Sequence, residues 1–460
     1  MTTGALILAG EALLTMDAAN TTLAGGAVLI QDGRIAGVGT LAELTAANPE
    51  VAVKKIANAV LMPGLVNAHA HSGFLRGTAE HLPVWDWLTL HINPMHRMLQ
   101  PHEAEAASWH CYAESVLGGT TTVVDMWRFM DGSARAAEAV GNRLVAVPYV
   151  GEHPDYDYFD TLDMNEALIE AWHRKADGRV NVWVGLEHLF YADEAGQRRA
   201  IELAKKHRTG FHTHCSEAEI ELAEFQKRYG KRPMFALEEL GFFETPRAMI
   251  AHGVWLDSSE IDLIAKYPVS VAHNPVSNMK LASGIARVGE MLAAGVPVGI
   301  GTDGEKENNN FDMFEEMKVA SLVGKLKDLD AAAMDSWDVL RMATIIGARA
   351  IGLDHEIGSI EPGKRADIIA VRTDTPRMTP FFAEGPYFNL HHNLVHAVRG
   401  GDVALTMVDG KILVEDGQLK TADLKDIIAE IHRVAPGLFA RRAAWLAQNA
   451  QGTMQWTKAS

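Results

Sequence analysis

Two histidines one residue apart, His69 and His71, close an apolar run that reads Val60-Leu-Met-Pro-Gly-Leu-Val-Asn-Ala-His-Ala-His71. In a β-strand, residues i and i+2 project to the same face, so both imidazoles leave the strand end aimed at one spot. Imidazole suits zinc and iron, and such a pair is half of a metal site. The pair therefore constrains the fold: the other half has to arrive from the ends of later strands.

The middle of the chain supplies them. Apolar strands alternate there with helical stretches, the signature of parallel βα units. Eight candidate strands end near Asn67, Asp125, Val150, Leu186, His214, His252, His273 and Gly301. Eight such units close a barrel and place catalytic groups at the C-terminal strand ends. Both chain ends use another grammar, short β-rich runs broken at Asp32-Gly33, Asp409-Gly410 and Asp416-Gly417, which are hairpin signals. The expected fold is α/β: a (β/α)8 TIM barrel over 61–359, plus a small β-sandwich built from 1–60 and 360–422. A helical tail over 423–460 is expected to pack on the barrel or on a second subunit of a homo-oligomer.

Composition narrows the partners. With 42 Lys plus Arg against 59 Asp plus Glu, the net charge of −17 speaks against nucleic acid and anionic membranes. No apolar stretch reaches transmembrane length, and Met1-Thr-Thr-Gly-Ala lacks the basic start of a signal peptide. Two cysteines, Cys111 and Cys215, are expected as reduced thiols in a cytoplasm. The expected partners are a small-molecule substrate and water.

Candidate chemistry sits at the later strand ends. In Gly210-Phe-His-Thr-His-Cys-Ser-Glu217, His212 and His214 share a face and His214 is the outer one. Ser216 and Glu219 have capping-box spacing, so a helix is expected to start there, with Glu217 ionised in its first turn. His252 follows the apolar Met249-Ile-Ala, and Asp303 follows a run of small and apolar residues. Taken singly, each has a plain structural reading: a strand histidine satisfied by backbone, a core histidine, a helix N-cap. Their occurrence in order at successive strand ends favours a catalytic site.

This arrangement resembles the amidohydrolase superfamily over most of the chain. The resemblance includes Pro63-Gly64-Leu-Val-Asn67 and Gly358-Ser-Ile-Glu-Pro-Gly-Lys364-Arg-Ala-Asp367. Within that superfamily, the runs His273-Asn-Pro-Val-Ser-Asn278-Met-Lys-Leu-Ala-Ser-Gly284 and Asn308-Asn-Asn-Phe-Asp-Met-Phe-Glu-Glu-Met317 are most similar to methylthioadenosine/S-adenosylhomocysteine deaminases and s-triazine hydrolases. The resemblance implies that His69, His71, His214 and Asp303 hold one divalent metal, zinc or iron. It also implies that Glu217 shuttles protons and that His252 orients the attacking hydroxide. No lysine ends the fourth strand, Val182-Trp-Val-Gly-Leu-Glu-His188, so the bridging lysine of two-metal relatives is absent. Deamination is the reaction implied. The rival readings are a triazine- or phenylurea-type xenobiotic hydrolase and a non-catalytic scaffold barrel.

The substrate side departs from that pattern. Where nucleoside deaminases carry a segment like Trp-Pro-Ala-Glu, this chain reads Asn93-Pro-Met-His96, and no arginine follows strand three. A strand-four signature like Pro-His-Ala-Pro-Tyr becomes Glu187-His188-Leu-Phe-Tyr191. Small residues after the metal aspartate become Glu305-Lys306-Glu307, expected as a solvated charged turn, with a remodelled pocket rim as the alternative. The expected substrate contacts are Trp85 and Trp127 as stacking partners, together with His96, His188 and Glu305. The loop Phe74–Trp87 is expected mainly to cover the barrel core.

Overall fold

The computed structural model describes residues 4–449. The last eleven residues of the expected helical tail lie outside that range. Parallel pairing joins the strands Leu65–His71, Thr120–Trp127 and Arg143–Pro148 on one side of the barrel. On the other side it joins Val184–His188, Gly210–Cys215, Arg247–His252, Val269–His273 and Val298–Ile300. These strands are covered on both faces, which is why they read as unbroken apolar runs rather than alternating ones.

The ring closes at two interrupted strands. The fourth breaks at Trp183, so that Val180–Val182 pairs with the third strand and Val184–His188 with the fifth. The eighth breaks at Gly301-Thr302, and its last piece pairs with the first strand in the register Asp303↔Ala70 and Gly304↔His71. Asn67 stitches this seam: its Nδ2 donates to Thr302 Oγ1 at 2.7 Å and its Oδ1 accepts from Thr302 N at 3.1 Å. A side chain at Gly301 would meet Asn274 Oδ1 at 2.4 Å. The break that delivers Asp303 therefore needs a glycine.

The chain ends form two sheets. One runs Arg34–Thr40, Gly26–Gln31, Leu6–Ala9, Ala52–Lys55; the other holds seven strands, with Ile368–Arg372 beside Ala59–Pro63 at its centre. Leu8, Leu13, Val28, Leu61, Ile368 and Leu405 fill the space between them. Asp32-Gly33, Asp409-Gly410 and Asp416-Gly417 all have two successive positive φ values, as a two-residue type I′ hairpin requires. From Ala59–Pro63 the chain passes through Gly64 straight into the first barrel strand. A Cβ at Gly64 would lie 2.2 Å from the Thr121 side chain.

Residues between the last sandwich strands leave the sheets to form the helix Leu390–His396, which packs on the barrel helices Met313–Asp328 and Ser336–Met342. The helix Leu424–Asn449 packs on Pro101–Leu117 and Asn93–Met98, where Arg441 Nη2 pairs with the buried Glu103 at 2.6 Å. Among the described residues no helix is long and apolar enough to cross a membrane.

Candidate metal centre and active site

Four side chains from three separate parts of the ring converge at the C-terminal mouth. His71 Nε2 lies 3.1 Å from His214 Nε2, which is 3.2 Å from His69 Nε2. Asp303 Oδ1 is 3.3 Å from His71 Nε2 and 3.5 Å from His69 Nε2. A tetrahedral ion with ligands at 2.0–2.1 Å has edges of about 3.3 Å. The donor set therefore fits one small divalent cation.

The far side of each imidazole fixes its tautomer. His71 Nδ1 donates to Met126 O at 2.6 Å, and His214 Nδ1 donates to Glu187 O. His69 reaches backbone through a second histidine: its Nδ1 donates to His212 Nε2 at 2.9 Å, and His212 Nδ1 donates to Met249 O at 3.1 Å. All three Nε2 lone pairs are thereby turned inward. Burial pulls these histidines below their ordinary pKa, with Asp303 opposing, so they are neutral ligands. Asp303 is held well below the carboxylate range: burial raises it, and His69, His71 and His252 outweigh that. Ser277 donates to Asp303 Oδ2 at 2.6 Å, and both Asp303 and His252 sit at positive φ, where non-glycine residues carry strain typical of functional sites.

His252 Nδ1 donates to Asn278 Oδ1 at 2.9 Å, leaving Nε2 facing Glu217 at 3.8 Å and Asp303 at 3.9 Å. Although burial lowers it, Glu217 and Asp303 raise the His252 pKa overall. Glu217 does not occupy a first helical turn. The helix starts at Glu219, and the acid that caps it is Glu221, whose carboxylate accepts from the backbone N–H groups of Ser216, Glu217 and Ala218 at 2.7–2.9 Å. The expected Ser216–Glu219 capping box is thus replaced. Ser216 is at φ 57, so its side chain is not placed as an N-cap. Burial raises the Glu217 pKa, helped by Asp303 and Glu221 against His252 and Ser283. The expected reason for its ionisation, a helix dipole, is absent.

Of the five expected substrate contacts, two line the pocket and three do not. Trp85 and His188 border it, with their rings 6.1 Å apart. Trp127 is buried below, its Nε1 donating to Ala104 O at 3.1 Å. His96 is fully buried, stacked on Tyr149 with ring centres 4.3 Å apart. Tyr149 therefore walls off the place where the nucleoside pattern puts its sugar-gripping acid. Glu305 accepts from Leu75 N at 2.8 Å and anchors the loop after the first strand.

The solvated turn is a correction as well. Glu305–Asn308 is a short buried helix in which Lys306 Nζ pairs with Glu307 Oε1 at 2.9 Å, and Glu307 borders the pocket. Glu307 and Trp87 fall on readings already weighed, the remodelled rim and the loop after the first strand, whereas sequence reasoning passed over Leu88, Tyr149, Tyr191 and Leu281 as wall residues. Tyr149 and Tyr191 had one signal, since each directly follows a barrel strand or its exit turn. The free space between these walls is about 30 Å³, so a ring enters this pocket only as the side chains around it shift aside.

Comparison with known proteins agrees with this geometry. The amidohydrolase family matches residues 60–413, and a bacterial imidazolonepropionase-like composite domain matches 26–50. The 5-methylthioadenosine/S-adenosylhomocysteine deaminase of Thermoanaerobacter pseudethanolicus is 35% identical, over 95% of this chain and 100% of its own length. A zinc-bound adenosine deaminase from Xanthomonas campestris superposes with a TM-score of 0.88 at 29% identity, covering 95% of this chain and 98% of its own. A zinc-bound atrazine chlorohydrolase from Arthrobacter aurescens shares the fold, with a TM-score of 0.83 at 24% identity and coverage of 93% and 99%. The chain belongs to the amidohydrolase family. It is a hydrolase of carbon–nitrogen bonds that uses a divalent metal.

Proposed function

We propose that the chain is a zinc-dependent aminohydrolase that releases ammonia from a flat, amino-substituted heteroaromatic molecule. The observation that carries this reading is the convergence of three inward Nε2 atoms and Asp303, with Glu217 and His252 facing the same point. Zinc bound there supplies the acidity that makes hydroxide available at neutral pH. Asp303 takes the proton from the attacking water, and His252, held by Asn278, orients it. Glu217, its pKa raised by burial, carries a proton to the departing nitrogen, which leaves poorly as an amide anion. Trp85 and Tyr149 supply flat walls for a ring.

The same reading makes the protein cytoplasmic, in keeping with two buried free cysteines. It also makes it a homo-oligomer, in keeping with Leu322, Leu326 and Leu329 exposed along one helix and its end. The test is ammonia release by zinc-loaded protein from 5′-methylthioadenosine, adenosine, free amino bases and aminotriazines, beside a chelator-treated sample. Release that depends on zinc supports the reading; none from any of them, with zinc bound, sinks it. Amine or chloride release from triazines without ammonia would favour the xenobiotic-hydrolase alternative, which the shared fold alone recommends.

A further inference from the structure

Five carboxylates border the pocket, and two of them are left half-satisfied. Glu221 is saturated by three backbone N–H groups and by His188 Nε2 at 3.1 Å. Asp303 and Glu217 belong to the catalytic cluster. Glu187 takes one hydrogen bond, from Tyr149 Oη at 3.1 Å to Oε1, and its Oε2 has no partner among the described residues. Glu307 has the Lys306 ammonium on Oε1, and its Oε2 also lacks a partner. Both residues are at least nine-tenths buried. A carboxylate oxygen of Glu307 lies within 4.8 Å of ligand atoms of His71 and Asp303. Among the described residues neither lysine nor arginine lines the pocket, and the Lys306 ammonium stands behind it on Glu307.

Buried acceptors without donors are unfavourable, and folded proteins retain few of them. These two stand at the positions where the sequence departs from the deaminase pattern, at the end of strand four and after Asp303. Resting on the assignment of this pocket as the substrate site, we propose that Glu187 and Glu307 are specificity residues. They receive the N–H donors of an amidine- or guanidine-like edge on a flat aromatic substrate. Burial raises the Glu187 pKa to about 7 and the Glu307 pKa to about 8, and a cationic edge bonded to them favours their ionised form, whose charge-assisted N–H···O⁻ bonds are shorter and stronger than neutral ones. The aromatic walls Trp85, Trp87, Tyr149 and Tyr191 cover its faces, and cations are favoured against such faces. The same walls disfavour a substrate bearing a carboxylate or phosphate, which would meet like charge.

Three probes of one shape test this: benzamidine, benzamide and benzoate, titrated calorimetrically into the full chain, both zinc-loaded and chelator-treated. Benzamidine is expected to bind about tenfold more tightly than benzamide in both forms, and benzoate not to bind the metal-free form; tenfold corresponds to 1.4 kcal/mol. Glu307→Gln and Glu187→Gln are each expected to weaken benzamidine about fivefold or more while leaving benzamide within twofold. Benzamide or benzoate binding as tightly as benzamidine in the metal-free wild type overturns the proposal, as does benzamidine failing to bind. Circular dichroism of the variants identifies misfolding, and the wild-type probe ranking decides the matter without them. Ammonia release from the same preparations keeps the two readings apart. Deamination without benzamidine preference defeats this proposal alone, whereas preference without deamination defeats only the proposed reaction.

Discussion

His212 has no atom among the converging donors, yet it decides which nitrogen His69 presents. Its Nε2 takes the His69 Nδ1 proton and its own Nδ1 proton goes to Met249 O. Replacing it with alanine leaves a buried His69 free to rotate or switch tautomer. Outer partners of this kind are worth about 10–100-fold in metal affinity, so His212→Ala is expected to weaken zinc by that factor in a competition titration and to keep the fold. His69→Ala and Asp303→Ala are expected to abolish turnover. Glu217→Gln preserves shape but cannot carry the proton, so kcat is expected to fall about 10²–10⁴-fold with KM changed little, read from steady-state ammonia release. The histidine pairs were legible as pairs because strand alternation puts i and i+2 together. Strand direction also made His214 the outer of its pair, and the barrel's register sets it beside His188 and Ala251; what the pattern could not assign was the task of His212, which turns to hold His69.

At the scale of elements, the segment after the fifth strand depends on one buried acid. Glu221 closes three backbone N–H groups and His188 at once, and although burial raises its pKa, these bonds hold it below the ordinary glutamate value. A group lowered on folding stabilises the fold above its unfolded pKa, about 4.3, and that contribution is lost as pH falls through the folded value. Glu221→Gln removes the charge and is expected to cost about 1–3 kcal/mol at pH 7. The gap from wild type should narrow below pH 4, measured by urea unfolding at each pH. A gap that stayed constant with pH would show that Glu221 is not ionised in the fold. The helix itself was readable, but its capping acid was placed two residues early, because spacing rules do not register that Ser216 adopts positive φ. Glu305-Lys306-Glu307 was misread for a related reason. Three consecutive charges look solvated in a sequence, and only the seam at Gly301 and the loop at Gly73 show why they turn inward. A Cβ at Gly73 would stand 2.2 Å from Glu305 Oε1. Glu305→Ala, by freeing Leu75 N and the loop that carries Trp85, is expected to raise KM several-fold with a smaller effect on kcat, a split visible in the same assay.

For the molecule as a whole, the barrel and sandwich are tied by a buried arginine far from the chemistry. Arg143 opens the third strand and gives Nε to Asp367 at 2.6 Å and Nη2 to both Asp367, at 3.0 Å, and Asp409. Asp409 belongs to the Asp-Gly turn that packs against Gly33, whose Cβ would lie 2.8 Å from Asp409 O. One guanidinium therefore holds the N-terminal mouth of the barrel to turns from both ends of the chain. The sequence announced those turns through their Asp-Gly pairs, but the ion triad joins residues hundreds of positions apart, and no local pattern marks it. The triad is expected to support assembly more than raw stability, because buried ion pairs gain little over well-packed apolar groups. Arg143→Met leaves the buried Asp367 without its guanidinium and Asp409 with Arg365 alone, at 3.4 Å, and is expected to cost about 3–5 kcal/mol. A triple replacement of Arg143, Asp367 and Asp409 by apolar residues of similar volume is expected to recover most of that loss. Six residues of strand, about 20 Å at 3.3 Å each, separate Arg143 from the pocket wall at Tyr149. Zinc affinity in Arg143→Met should accordingly stay within twofold of wild type. Denaturant unfolding and zinc competition on the same three proteins test both halves, and a fall in zinc affinity matching the fall in stability would mean that the two ends of the barrel are not independent.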